Sequence, residues 1–250
     1  MISKNTVKYI RSLELKKNRT RAGVFVAEGP KVVADLMALG QPKMIVATDV
    51  WFKESGNAPR DVDSVVSEDE LRRVSFLQHP QQVLALFDTP MHKADAGVCA
   101  DELCLALDAV QDPGNLGTII RIADWFGVST IFCGTGTADA YSPKVIQATM
   151  GSIARVRLVY TELPELIDRL PEGTPVYGTA LDGEDIYSTE LSSTGLIVMG
   201  NEGNGISREV MSRVSRKLLI PCYGRESGID SLNVAVATAV TCAEFRRRTR

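Results

Sequence analysis

The stretch Leu103–Val128, LCLALDAVQDPGNLGTIIRIADWFGV, decides the fold class. Residues 103 to 110 are almost all apolar, the pattern of a strand covered on both faces. Asp112 and Pro113 end the run, Gly114 and Gly117 permit tight backbone geometry, and Ile119, Ile120 and Ala123 resume at helical spacing. Open α/β sheets hold ligands in polar loops of this kind, at the carboxyl ends of their strands. Asn115 and Arg121 lie in the first turns of the helix, which lets the guanidinium reach back towards the loop. An amide and a guanidinium at a strand end suit phosphate or sugar recognition better than core packing.

Downstream of this stretch the alternation is regular. Strands STIFC, RVRLVY, PVYGTA, GLIVMG and KLLIP are separated by helices around SPKVIQATMG, LPELIDRL, ISREVMSRV and SLNVAVATAVTCAEFRRR. Strand–helix alternation with short connections predicts an α/β fold, a mainly parallel sheet flanked by helices. Upstream, a basic amphipathic start leads to the strand VFVAEG and the helix PKVVADLMALG, with Pro30 at its first position and Gly40 past its end. The strands KMIVAT, VDSVVS and QVLALF follow, with the acid-capped helix SEDELRRV before the last. The small, polar, patternless stretch 88–102 is the expected linker, giving domains 1–95 and 103–250.

The chain has 250 residues, 44% hydrophobic and 24% charged, enough for one large or two small folded domains and unlike a disordered chain. No apolar run approaches a membrane span, and MISKNTVKYIRS lacks the apolar core of a secretory signal, so a cytoplasmic protein without membrane attachment is expected. Five cysteines, Cys99, Cys104, Cys133, Cys222 and Cys242, are an odd number with no C-x-x-C pair, which predicts buried reduced thiols. With His79 and His92 as the sole histidines, no metal site is expected.

The net charge is −3, yet positive charge is concentrated. Lys4, Lys8, Arg11, Lys16, Lys17, Arg19, Arg21 and Lys31 face only Glu14 and Glu28 in the same stretch, and Arg246, Arg247, Arg248 and Arg250 end the chain. Such clusters can neutralise RNA phosphates; a solvated helix face and a frayed tail would account for the same residues.

Two further polar loops follow apolar strands. GNEGNGIS, from Gly200 to Ser207, exposes backbone amides and adds the Glu202 carboxylate. Gly200 and Gly205 have P-loop spacing, but Ile206 stands where the lysine should be, which argues against a nucleotide triphosphate. In LLIPCYGRESGIDSLNVAVATAV a glycine-containing loop leads to Ser231 and Asn233 at the start of a helix. Asp230 or Ser231 could cap that helix, whereas Asn233 is a poor helix former within it. Leu232, Ala235, Val236, Ala239, Val240 and Ala243 form a stripe of mostly small residues, a core face or a dimer interface. CGTGTAD offers Gly134 and Gly136, but Asp139 replaces the third glycine of a dinucleotide fingerprint.

Taken together, N-x-G-x-x-x-R from Asn115 to Arg121, GNEGNGIS around Glu202, and Ile220 to Ala237 with its SLNVAVA resemble the SpoU-type (TrmH-like) ribose 2′-O-methyltransferases of the SPOUT superfamily. FVAEGPKVV and HPQQVLALF resemble the small α/β substrate-binding domain, similar in shape to ribosomal protein L30e, that many members carry. The resemblance implies a C-terminal deep trefoil knot that binds S-adenosyl-L-methionine, an RNA substrate with ribosomal RNA ahead of transfer RNA, and a homodimer through the last helix. By matching position, Gly200, Ile220 and Leu232 would hold the cofactor, and Asn115, Arg121, Glu202, Ser231 and Asn233 would be catalytic or contact substrate. The loop between Gly224 and Ser231, with Arg225 and Glu226, is longer than members usually have. The alternative from another class is a non-catalytic RNA-binding or ribosome-assembly protein of the same fold, against which the intact residue set argues.

Overall fold

A computed structural model describes residues 2–224 and 231–248; Arg225, Glu226, Asp230 and Arg250 lie outside the described residues. The chain divides into two compact units, Met1–Pro90 with Asp139–Ala154, and Met91–Ala138 with Arg155–Arg250.

The first unit begins with α1 (Lys4–Ser12), α2 (Lys16–Ala22), β1 (Val24–Glu28), α3 (Pro30–Met37) and β2 (Met44–Ala47). It continues with α4 (Asp49–Ser55), β3 (Ser64–Val65), α5 (Glu68–Val74) and β4 (Val83–Asp88). Its four-stranded sheet has the order β1-β4-β2-β3, with β4 antiparallel to both neighbours and β3 parallel to β2. Apolar residues from β1, β2, β4, α1 and α5, among them Ile10, Val24, Val46, Leu71 and Leu84, close the core on one face. α5 starts at a capping box: Ser67 Oγ accepts the Glu70 N–H and the Glu70 carboxylate accepts the Ser67 N–H, so two helix-end donors are satisfied reciprocally.

The second unit carries α6 (Val98–Asp101), β5 (Leu103–Leu107), α7 (Pro113–Trp125) and β6 (Thr130–Cys133). Next in the chain, α8 (Pro143–Thr149) and a short 3-10 turn, Ser152–Ala154, belong to the first unit, where α8 lies against β1. The second unit resumes with β7 (Arg157–Tyr160), α9 (Leu163–Asp168), β8 (Val176–Asp185), β9 (Gly195–Met199), α10 (Arg208–Met211), β10 (Arg216–Leu219) and α11 (Val234–Arg247). Its six strands are all paired in parallel, in the order β10-β8-β9-β5-β6-β7. β5 has neighbours on both sides and every residue buried, which is why Leu103–Leu107 is apolar without alternation.

Four expectations change. The stretch 88–102 is not all linker, because Val98–Asp101 is helical and Ala96 and Cys99 are buried in the second unit's core. Cys222 is exposed, while the other four cysteines are buried and free. Asp139, out of place in a dinucleotide loop, pairs with Arg19 in the first unit; Arg19 is 4% exposed and also donates to the Leu13 and Glu14 carbonyls, so it is structural and not a phosphate ligand. Within the basic run at 246–250, the described arginines are tied down: Arg246 donates to the Phe126 and Gly127 carbonyls, and Arg247 and Arg248 pair with Glu244.

Candidate functional site

The site forms because β5 and β9 are neighbours, with Leu107 opposite Met199, so the loops that leave their carboxyl ends lie side by side. β6 and β7 lie on one side of β5 and β9, β8 and β10 on the other, the kind of switch point where open sheets bind ligands. Three side chains stitch the two loops together. Asn201 Nδ2 donates to the Ala109 carbonyl at 2.7 Å, and Asp108 Oδ2 accepts the Ser207 N–H at 2.7 Å. Glu202 accepts the N–H groups of Gln111 and Asp112, both at 3.3 Å. Ala109 is held in the left-handed region at φ 57°, strain that persists where the surroundings fix the backbone.

Asp112 caps α7 by accepting the Asn115 N–H at 2.8 Å, and Pro113 supplies the first helical residue. The Asn115 side chain then sits in a row: its Nδ2 donates to Glu202 Oε1 at 3.0 Å, and its Oδ1 accepts from Asn233 Nδ2 at 2.9 Å. Asn233, rather than Ser231, is the N-cap of α11, its Oδ1 accepting the Ala235 and Val236 N–H groups. Asparagine is favoured at that position, so the helix start alone accounts for its residue type. The cap occupies the oxygen and turns the amide nitrogen towards Asn115, fixing the direction of every bond in the row. Burial works to raise the Glu202 pKa, but the hydrogen bonds from Asn115 and the loop N–H groups outweigh it and hold the carboxyl below its usual range.

Beside the row opens a cavity of about 490 Å³, within the usual range for small-molecule sites. Gly200, Glu202, Ile220, Ser231 and Leu232 all line it, with Met199, Leu218 and Val234 adding apolar wall. Gly200 is buried, and a Cβ there would overlap the Gly205 and Ile206 backbone, lying 2.7 Å from the Gly205 carbonyl oxygen. Only glycine lets the loop fold back so closely. The apolar wall beside exposed loop amides fits S-adenosyl-L-methionine, an adenosine with a charged sulfonium and an amino-acid tail.

Arg121 stands apart. It is exposed on α7, about 9 Å along the helix axis from Asn115, and makes no hydrogen bond or ion pair among the described residues. Among the lining residues missed from the sequence are Thr179, Ala180 and Leu181. They belong to an excursion of β8: Gly178 pairs with Lys217 but Glu184 with Leu218, leaving residues 179–183 looped out. The signal in the sequence is TALDG, where Thr179, Asp182 and Gly183 interrupt the apolar run at the carboxyl end of a strand.

A parallel α/β sheet with a cofactor-sized cavity and an amide–carboxylate row at its carboxyl edge is the ligand site of an open-sheet α/β protein. The chain belongs to the SpoU rRNA Methylase family, whose model matches residues 102–243, and residues 4–85 match an MRM3-like substrate binding domain. It is 35% identical over 96% of its length, and 95% of the relative's, to a Bacillus subtilis protein named as a 23S rRNA guanosine 2′-O-methyltransferase. A TrmH-family structure from Porphyromonas gingivalis superposes with a TM-score of 0.89 at 40% identity, covering 99% of both chains. An rRNA methyltransferase from Sinorhizobium meliloti with bound AdoMet gives 0.84 at 32% identity, covering 100% of this chain and 97% of that one.

Proposed function

We propose that this chain transfers a methyl group from S-adenosyl-L-methionine to a ribose 2′-hydroxyl of RNA, ribosomal RNA ahead of transfer RNA, as the relatives' names support. The observation that carries it is the Glu202–Asn115–Asn233 row at the edge of the cavity lined by Gly200, Ile220 and Leu232.

The cofactor supplies a sulfonium methyl that is already activated. What remains for the protein is to hold the ribose hydroxyl in line and help it lose a proton, and orientation alone can supply much of the barrier reduction. Asn115 and Asn233 orient the ribose, Glu202 holds Asn115, and Ser231 contacts substrate from the cavity wall. Arg121 anchors a phosphate or the 2′-oxygen and stabilises developing negative charge. A guanidinium with a pKa above about 12 does not serve as the base, so the proton leaves through a phosphate or water.

The first unit then acts as the substrate-binding, L30e-like part and the second, built on most of 103–250, as the catalytic part. A trefoil knot through the second is supported by the path after β9, which leads to β10 beside β8 and back to α11 against α7, while the loop 200–207 and Ile220 face one cavity. A homodimer through α11 is supported by its outer face. Val236 and Ala243 of the small-residue stripe are exposed on α11, while Ala235 of the same stripe is buried with Val234, Thr238, Cys242 and Phe245. Its place is the cytoplasm, with its RNA substrate; among the described residues no helix is long and apolar enough to cross a membrane.

Mapping ribose methylation across total RNA with and without the gene tests the function. One lost 2′-O-methyl site, restored in vitro by protein and cofactor, is the expected result. No lost site together with no cofactor binding overturns it in favour of a non-catalytic RNA-binding protein.

A further inference from the structure

From a cavity in the first unit, we infer that the loop before β4 forms a pocket for one unpaired RNA base, a recognition site separate from the methyl-transfer cavity. The proposal rests on the RNA-modifying function above and deepens it. The cavity, about 340 Å³, opens where the carboxyl ends of β1 and β2 meet the start of β4. That volume admits a nucleobase.

Its loop is built rather than loose. Glu28, buried at the end of β1, accepts the Phe76 N–H at 2.8 Å through Oε1 and the Ser75 hydroxyl through Oε2. Ser75 Oγ accepts the Leu77 N–H at 3.0 Å, and Arg11 donates to the Ser75 carbonyl at 2.6 Å with its guanidinium over the Phe76 ring. At the far end the Gln82 carbonyl accepts the Thr48 N–H at 2.9 Å, which holds Gln82 in the left-handed region at φ 49°. A non-glycine residue there is uncommon and marks a backbone fixed by its surroundings.

With both ends fixed, the loop presents Gln81 and Gln82 to the cavity opposite Glu68, and none of the three side chains is hydrogen-bonded among the described residues. Glutamine offers a donor and an acceptor to a base edge, and a carboxylate accepts from exocyclic amino and ring N–H groups. Pro30, Pro80 and Leu71 add apolar faces for the ring, and Arg72, tied among the described residues only to Asp69 in an exposed pair, is available to a phosphate. Sequence-specific RNA recognition targets single-stranded bases that can be splayed out and hydrogen-bonded on their edges. The mixed polar set, with no aromatic side chain in the lining, is unlike the anchor pockets of protein interfaces.

The test titrates the full chain against short fluorescein-labelled A, C, G and U homopolymer RNAs by anisotropy. It compares wild type with Gln81→Ala/Gln82→Gly, whose glycine suits the left-handed backbone and keeps the loop folded. Wild type should prefer one homopolymer by about fivefold or more, the span of a good base-edge contact. The double variant should lose that preference, and in methylation of in vitro transcribed 23S rRNA its KM should rise with kcat and cofactor affinity unchanged. No preference in wild type, or one unchanged in the variant, overturns the pocket. If wild type methylates no RNA, the function above fails, while the homopolymer preference still decides the pocket.

Discussion

Asn233 and Asn115 share a hydrogen bond across 118 residues of sequence, Asn233 Nδ2 donating to Asn115 Oδ1 at 2.9 Å. The same Asn233 side chain caps α11. One amide thus serves stability and site geometry through different atoms, and a substitution can separate the two.

Asn233→Asp keeps an acceptor for the Ala235 and Val236 N–H groups but loses the donor to Asn115. Its Tm should stay near wild type while methyl transfer falls by about a hundredfold, the scale of losing a positioning contact. Asn233→Ala should lose activity and also about 1 kcal/mol of stability through the missing cap. Paired thermal melts and kcat measurements check both.

Arg121→Ala should leave Tm and cofactor affinity unchanged, because the exposed side chain has no hydrogen bond among the described residues to lose. Turnover should drop by about 10²–10³, as when a group that stabilises transition-state charge is removed. Calorimetric titration with cofactor and single-turnover kinetics separate the two effects; normal turnover would remove Arg121 from the mechanism.

Gly200→Ala adds a methyl where the Gly205 and Ile206 backbone already lies. Opening the loop should weaken cofactor binding by at least about tenfold, since a small displacement of a built site is costly. Isothermal titration reads it directly.

Glu202 is held below the ordinary carboxylate pKa of 4.5, so its interaction with Asn115 is complete above that value and fades only as pH falls through the lowered one. Methyl transfer should therefore show no acid limb from Glu202 above about pH 5. Glu202→Gln should lower kcat at every pH in that range, since neutral oxygens accept the loop N–H groups less strongly.

Glu244 is 5% exposed, and its hydrogen bonds from Arg247, then Arg248, outweigh burial and hold its pKa at about 2. A lowered carboxylate pKa adds stability that is full above 4.5 and is lost as pH falls towards 2. Glu244→Gln should lower Tm at neutral pH and flatten its decline between those values, as melts across the acid range would show.

Local patterns in the sequence determined much of this protein. The apolar run 103–110 shows a strand covered on both faces, because burial leaves no room for polar alternation, and Asp112–Pro113 mark the next helix start through cap chemistry that acts within a few residues. The three polar loops were legible for the same reason, and so were Gly200 and Glu202 within them. What needed the tertiary structure depends on partners distant in sequence. Arg19 and Arg248 are charged in any composition count, and only folding turns them into buried or backbone-binding groups, towards Asp139 and the Thr189 carbonyl. α11 follows the same logic, since small residues recur along more than one face and packing against α7 decided which face is buried. Glu202, Asn115 and Asn233 could be named singly from their loops; that they form one row follows from β5 lying beside β9, a pairing no local pattern encodes.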